Sequence, residues 1–153
     1  MPAIKKILIP IDFSDFSREA LERGIEWASV WKSDLFLLHV VDLRDLYTSD
    51  LLSMEGKPSM ETELKKQARE KLRTWSQNLS LPHHLEVRLG SPVDVITKVA
   101  KEKDMDLILM ATHGHTGLKH LLIGSVAEQV VRYSPCSVMT IRPKAFVHSH
   151  SPR

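Results

Sequence analysis

The chain has few of the residues that build several common kinds of site. It carries one cysteine, Cys136, in 153 residues, so no internal disulfide can form. Set between Pro135 and Ser137 ahead of an apolar run, Cys136 reads as a small buried hydrophobe rather than a reactive thiol. No apolar stretch is long enough for a signal peptide or a membrane span, and Met1-Pro2-Ala3-Ile4-Lys5-Lys6 runs straight into a strand-like segment. A cytoplasmic protein with no membrane contact is expected. An excess of one charge is also missing: 21 Lys and Arg stand against 19 Asp and Glu, a net +2, too little to argue for nucleic acid or an anionic surface as a partner. Neither a G-x4-G-K-[ST] loop nor a G-x-S-x-G elbow occurs.

What is present is ordinary globular material, 42% hydrophobic and 26% charged. A chain of this length can bury roughly 70% of its unfolded surface. We expect one domain over residues 1–143 and a disordered tail over 144–153. Ile4 to Ile11 and Leu35 to Val41 are short apolar runs suited to strands covered on both faces. Between them a helix capped by Ser14 or Ser17 places Ala20, Leu21, Gly24, Ile25, Ala28 and Trp31 on one side. Residues 42–57 form an unusually long connection, read as a lid or a partner-contact loop. From Pro58 a second helix carries the stripe Met60, Leu64, Ala68, Leu72, Trp75 and Leu79. Leu85 to Leu89 alternates apolar and charged residues, which suits a sheet edge. A third helix starts at Gly90-Ser91-Pro92, with Val93, Ile96, Val99 and Ala100 facing inward. Asp106 to Met110, Ser125 to Arg132 and Ser137 to Arg142 complete the alternation as strand, helix and strand.

Strands alternating with helices imply a Rossmann-like, doubly wound α/β fold, a five-stranded parallel sheet with helices on both faces. Ligands in such sheets bind beyond the carboxyl ends of the strands, where strand order reverses. Asp12, His39, Val40 and the run Ala111-Thr112-His113-Gly114 all fall at such ends. The last of these leads after nine residues to Gly124-Ser125 and a helix, whose unpaired first-turn amides and positive dipole end suit a phosphate. Two readings stay open there. Ser125-x-x-Glu128 is also a capping box, in which each side chain would satisfy an amide of the other, and Asp12 could serve only to cap the first helix. His113, His115 and His120 invite a metal reading, but their spacing matches no closed site. Trp27, Trp31 and Trp75 are expected in core or half-buried packing.

Pro10-x-Asp12-Phe13-Ser14, Leu38-His39-Val40, Met110-Ala111-Thr112-His113-Gly114 and Gly124-Ser125-Val126 resemble the universal stress protein family, over Ile4 to Arg142. The resemblance implies strand order 3-2-1-4-5, a homodimer, and the ATP-binding branch with its G-x2-G-x9-G-[ST] pattern. Here that pattern reads Ala111-x2-Gly114-x9-Gly124-Ser125. Alanine replaces the first glycine, an exchange that matters if the position needs a positive φ or bare backbone against the ligand. By the resemblance, Asp12 would accept from nucleoside hydroxyls and the Val40 backbone would read the adenine edge. Pro10, Met110, Ala111 and His113 would line the crevice, and Gly114, Gly124, Ser125 and Val126 would meet the phosphates. Lys119 could neutralise the outer phosphates.

The expected ligand is ATP with Mg or Mn. No second carboxylate or base is placed to orient water, so hydrolysis is expected to be slow at most. The leading reading is a regulatory module in which occupancy sets the 42–57 and 115–123 loops for an unidentified protein partner. The alternatives are a nucleotide-free dimeric scaffold and a slow ATPase or nucleotidyl transferase. A homodimer is expected through the edge strand Val138 to Ile141, whose open backbone groups a symmetric copy could cover.

Overall fold

A computed structural model of the chain describes residues 3–42, 44, 57–114 and 123–144, with only the backbone described at 57–59. Most of the long connection, the loop holding Lys119, His115 and His120, and the tail beyond Lys144 lie outside them. The elements are β1 (Lys6–Pro10), α1 (Asp15–Trp31), β2 (Asp34–Asp42), α2 (Lys57–Ser76), β3 (His83–Gly90), α3 (Pro92–Glu102), β4 (Leu107–Ala111), α4 (Ser125–Tyr133) and β5 (Ser137–Ile141). All strand pairs are parallel, in the order β3-β2-β1-β4-β5. Fold class and strand order are therefore as expected.

Strand periodicity divides the core between the two faces of the sheet. Ile7, Ile9, Leu35, Leu37, Leu107 and Leu109 point to one face, where Leu21 and Ala28 of α1 and Leu72 of α2 cover them. Leu8, Leu38, Ile108 and Met110 point to the other, beneath Ile96 and Val99 of α3 and Ala127 and Val130 of α4. At Gly24 α1 packs directly on the sheet: a Cβ there would collide with Ile9 Cδ1 and stand 3.3 Å from Leu109 Cδ2.

Several local expectations need correction. Trp31 is 38% exposed, less covered than the core or half-buried packing expected of it, and lies against Trp27. Val95, absent from the expected inward face of α3, is buried beside a turn in which Gly90 takes φ +143°. Ser91 precedes α3 without bonding through its side chain, whereas Ser14 caps α1 by accepting from Ser17 N. Pro143 is buried and Lys144 N donates to Glu19 Oε2 at 3.0 Å; the rest of the expected tail lies outside the described residues.

Cys136 packs against the α3/α4 layer, and burial pushes its thiol above the ordinary cysteine value, so less thiolate forms at neutral pH. Alkylation of the native protein at pH 7 is expected to be at least about tenfold slower than in denaturant, read by mass spectrometry of iodoacetamide adducts. Equal rates would contradict the burial.

Candidate functional site

The crevice originates in the backbone chemistry of one residue. Ile11 N donates to Leu38 O at 2.8 Å, so Ile9 and Ile11 direct their backbone groups at β2, while Leu8 and Pro10 direct theirs at β4. Proline has no N–H to give. The β1–β4 pairing covers only Ile7↔Leu107 and Leu8↔Ile108, and the strands part at Pro10. This is also where strand order reverses, because β2 lies on one side of β1 and β4 on the other.

On the β2 side of the opening, the same alternation turns the N–H and C=O of Val40 toward β1, two residues past Leu38, where β1 has already ended. The Ile11 carbonyl that might have continued the ladder is taken by His39, whose Nδ1 donates to it at 2.6 Å. Val40 therefore presents a donor and an acceptor side by side at the mouth of the crevice. Beyond it, Asp42 is held below the usual carboxylate range by its hydrogen bonds to Arg44, the shortest being 2.6 Å from Nη2.

The chain leaves β1 through Asp12 and Phe13. Asp12 Oδ1 accepts from Ser14 N at 2.9 Å and from Ser14 Oγ at 2.5 Å, which ties the carboxylate to the start of α1. Phe13 takes φ +64°, a conformation that costs a bulky side chain about 1–2 kcal/mol. Its ring is held by His39 at 4.4 Å, Trp75 at 5.3 Å and the Lys71 ammonium at 4.4 Å. Nothing in the residue type signals this left-handed turn, and sequence reading missed it.

Across the opening, Gly114 faces Asp12 so closely that a Cβ would stand 2.7 Å from Oδ2. Thr112 N donates to Ile141 O at 2.9 Å, and Thr112 O accepts from Gly124 N at 2.6 Å, clamping the start of α4 to the end of β4. Thr112 was missed as well; its role is carried by the backbone, which leaves no mark in the sequence. His113 is buried with Nδ1 2.9 Å from Thr112 Oγ1 and its ring against Phe16. Ala111 is a regular, buried β4 residue without positive φ, so alanine there carries no backbone strain. The Met110 side chain packs in the α3/α4 core.

The capping box is not formed. Gly124, not Ser125, is the cap of α4, and no capping side chain bonds the first-turn amides. Glu128 reaches forward to Arg132 at 3.0 Å instead of back to Ser125. Gly124 wins the cap position because its N–H is bound to Thr112, which moves Ser125 into the first helical turn. The amides of Ser125, Val126 and Ala127 therefore begin α4 without intrahelical acceptors. The reading of Asp12 as a contributor to α1 entry does hold, alongside its position over Gly114. Among the described residues no three His, Cys, Asp or Glu side chains are grouped to hold a metal ion.

These features accompany a clear likeness to known proteins. The model of the Universal stress protein family matches residues 3–142. Universal stress protein MJ0531 of Methanocaldococcus jannaschii is 34% identical over 142 residues, covering 90% of this chain and 82% of that protein. Universal stress protein MJ0577 of the same organism is 31% identical over 157 residues, covering 92% and 96%. The solved structure of MJ0577 matches with a TM-score of 0.81 at 29% identity, over 94% of this chain and 99% of that one. A universal stress protein family protein from Arabidopsis thaliana, solved with AMP bound, shares the fold at 20% identity and a TM-score of 0.58, over 92% and 93% of the two chains. With the family model matching nearly the whole chain and relatives 31% and 34% identical over about nine-tenths of it, this chain belongs to the universal stress protein family.

Proposed function

We propose that the chain is a regulatory protein of the stress response that holds ATP in the crevice between β1, β2 and β4. The observation that carries this reading is the start of α4, which has no side-chain cap bond and whose first-turn amides and positive dipole end stand beside an opening that Pro10 keeps free of strand pairing. The adjacent N–H and C=O of Val40 match adenine, which offers an acceptor at N1 and a donor at N6; guanine presents the reverse pair. Asp12, an acceptor, suits ribose hydroxyls. Gly114, Gly124, Ser125 and Val126 serve the phosphates, with Pro10, Met110, Ala111 and His113 shaping the walls. The AMP-bound relative supports an adenine nucleotide in this fold. A Mg or Mn ion would be held chiefly by phosphate oxygens and water, as Mg usually is, with Asp12 the near carboxylate.

In this reading the nucleotide acts by favouring one arrangement of residues 42–57 and 115–123, for which a partner protein has the higher affinity. Mass spectrometry of acid-released small molecules from freshly purified protein tests the first step. ATP or ADP near one per chain is expected; an empty protein that gains none on adding ATP and magnesium would leave the dimeric scaffold as the function.

We further propose a cytoplasmic homodimer joined through β5. That strand is a sheet edge, and Met139, Val131 and Tyr133 are exposed apolar groups on it and on α4. Met139→Lys is expected to turn a dimer into a monomer at micromolar concentration by light scattering. A monomeric parent protein would refute the assignment.

A further inference from the structure

The sheet has a second edge, at β3, which neither the crevice nor the β5 contact uses. Leu35 N donates to Pro82 O at 3.2 Å, so residues 82, 84, 86 and 88 bond to β2. By alternation the N–H and C=O groups of His83, Leu85, Val87 and Leu89 face outward, away from the sheet. An open groove of about 640 Å³ follows this row, lined on its α2 side by Lys65 and Arg69 and on its α3 side by Arg88 and Lys103.

Edge strands are often defended by charge, and Glu86 and Arg88 could be read that way. Their charges are spent on each other, however. Glu86 pairs with Arg88 at 2.6 Å and Lys103 at 3.3 Å, and Arg88 also reaches Glu102 at 2.7 Å. Lys65 and Arg69, one turn apart on α2 and both exposed, have no ion pair among the described residues. They stand over the row of open backbone groups, and the lining as a whole has four cations to one carboxylate. The edge therefore offers main-chain hydrogen bonding with a positive wall beside it, and the one carboxylate of the lining, Glu86, is already paired with Arg88 and Lys103.

We propose that the β3 edge is a docking site for an extended acidic segment of a partner protein, which adds to the sheet as a sixth strand. Main-chain bonds to His83, Leu85, Val87 and Leu89 would supply affinity, and carboxylates on the side facing α2 would select through Lys65 and Arg69. This inference does not depend on nucleotide binding.

The test uses the full chain and an array of short extended peptides combining Glu with Val, Thr and Ile. Fluorescence anisotropy measures binding, and amide NMR shifts locate it. At least one peptide is expected to bind tighter than about 1 mM and to shift the amides of residues 83–89. Lys65→Glu/Arg69→Glu, both exposed, is expected to weaken it at least about tenfold while leaving the fold intact. N-methylation of the peptide amides that face β3 is expected to abolish binding. Four outcomes would overturn the proposal: no peptide binding, shifts confined to β5, indifference to the charge reversal, or indifference to N-methylation. A concentration-dependent dimer with shifts at 83–89 in the protein alone would also overturn it, since a second copy would then be the occupant.

Discussion

Gly124→Val is expected to weaken ATP binding at least about 100-fold, or about 2.7 kcal/mol, while leaving the fold in place. A Cβ at this position would lie 3.0 Å from the Thr112 carbonyl oxygen and 3.6 Å from His113 Cα. Both are backbone atoms that cannot swing aside, and the 2.6 Å bond from Gly124 N to Thr112 O holds the two segments together. The β-branched side chain must push α4 away from β4, which displaces the amides of Ser125 and Val126. Two hydrogen bonds to a charged group are each worth about 1.5–3 kcal/mol, so misplacing both accounts for the expected loss. Calorimetric titration with ATP and magnesium, beside circular dichroism to check the fold, measures it. Affinity within about threefold of the parent would remove the start of α4 from the site.

Gly24→Val is expected to have the largest effect on stability, a loss of about 3 kcal/mol. The new Cβ would collide with Ile9 Cδ1, and Ile9 and Leu109 are both fully buried, so neither can retreat into solvent. The gain from replacing glycine within a helix is below about 1 kcal/mol and does not offset this. Ile9→Ala removes the colliding methyl, although alone it leaves a cavity costing about 2–5 kcal/mol. In the double variant the two losses should fall short of additivity by more than about 1 kcal/mol, because each change relieves the defect of the other. Urea denaturation of the four proteins supplies the cycle. Strict additivity would mean that the Gly24–Ile9 contact does not govern the approach of α1.

For nucleotide regulation, Gly124 and Gly24 separate two consequences of the same fold. Gly24 sets how closely α1 lies on the sheet, and Gly124 sets where α4 begins relative to the end of β4. A variant at the first should lose stability, whereas a variant at the second should lose ligand.

Much of this protein can be read along the chain because its determinants are local. The β-branched runs, the three- and four-residue spacing of apolar side chains and the alternation of strand with helix depend on near neighbours, and they led directly to a parallel sheet covered on both faces. The loop residues Asp12 and Gly114 stand out because small or acidic residues after strands are conspicuous against apolar runs, and Gly124 because it directly precedes a helix. Local reading also erred where a side chain had a local alternative and a distant partner prevailed. Ser125 and Glu128 have the spacing of a capping box, yet the Thr112 carbonyl takes the Gly124 amide and Arg132 takes Glu128. Trp31 fits the apolar stripe of α1 but is 38% exposed and lies against Trp27.

What the sequence by itself determined was the order and type of the elements and the residues at the strand ends, since those follow from covalent geometry and from which side chains avoid water. Only the tertiary structure decided that Pro10 ends a ladder with β4 rather than a strand in isolation, and that Asp12 meets Gly114 across more than a hundred residues of chain. It alone left Lys65 and Arg69 beside the open edge of β3. Each of these is a relation between segments distant in sequence, and such relations acquire an energy only when the sheet brings the segments within a few ångströms of one another.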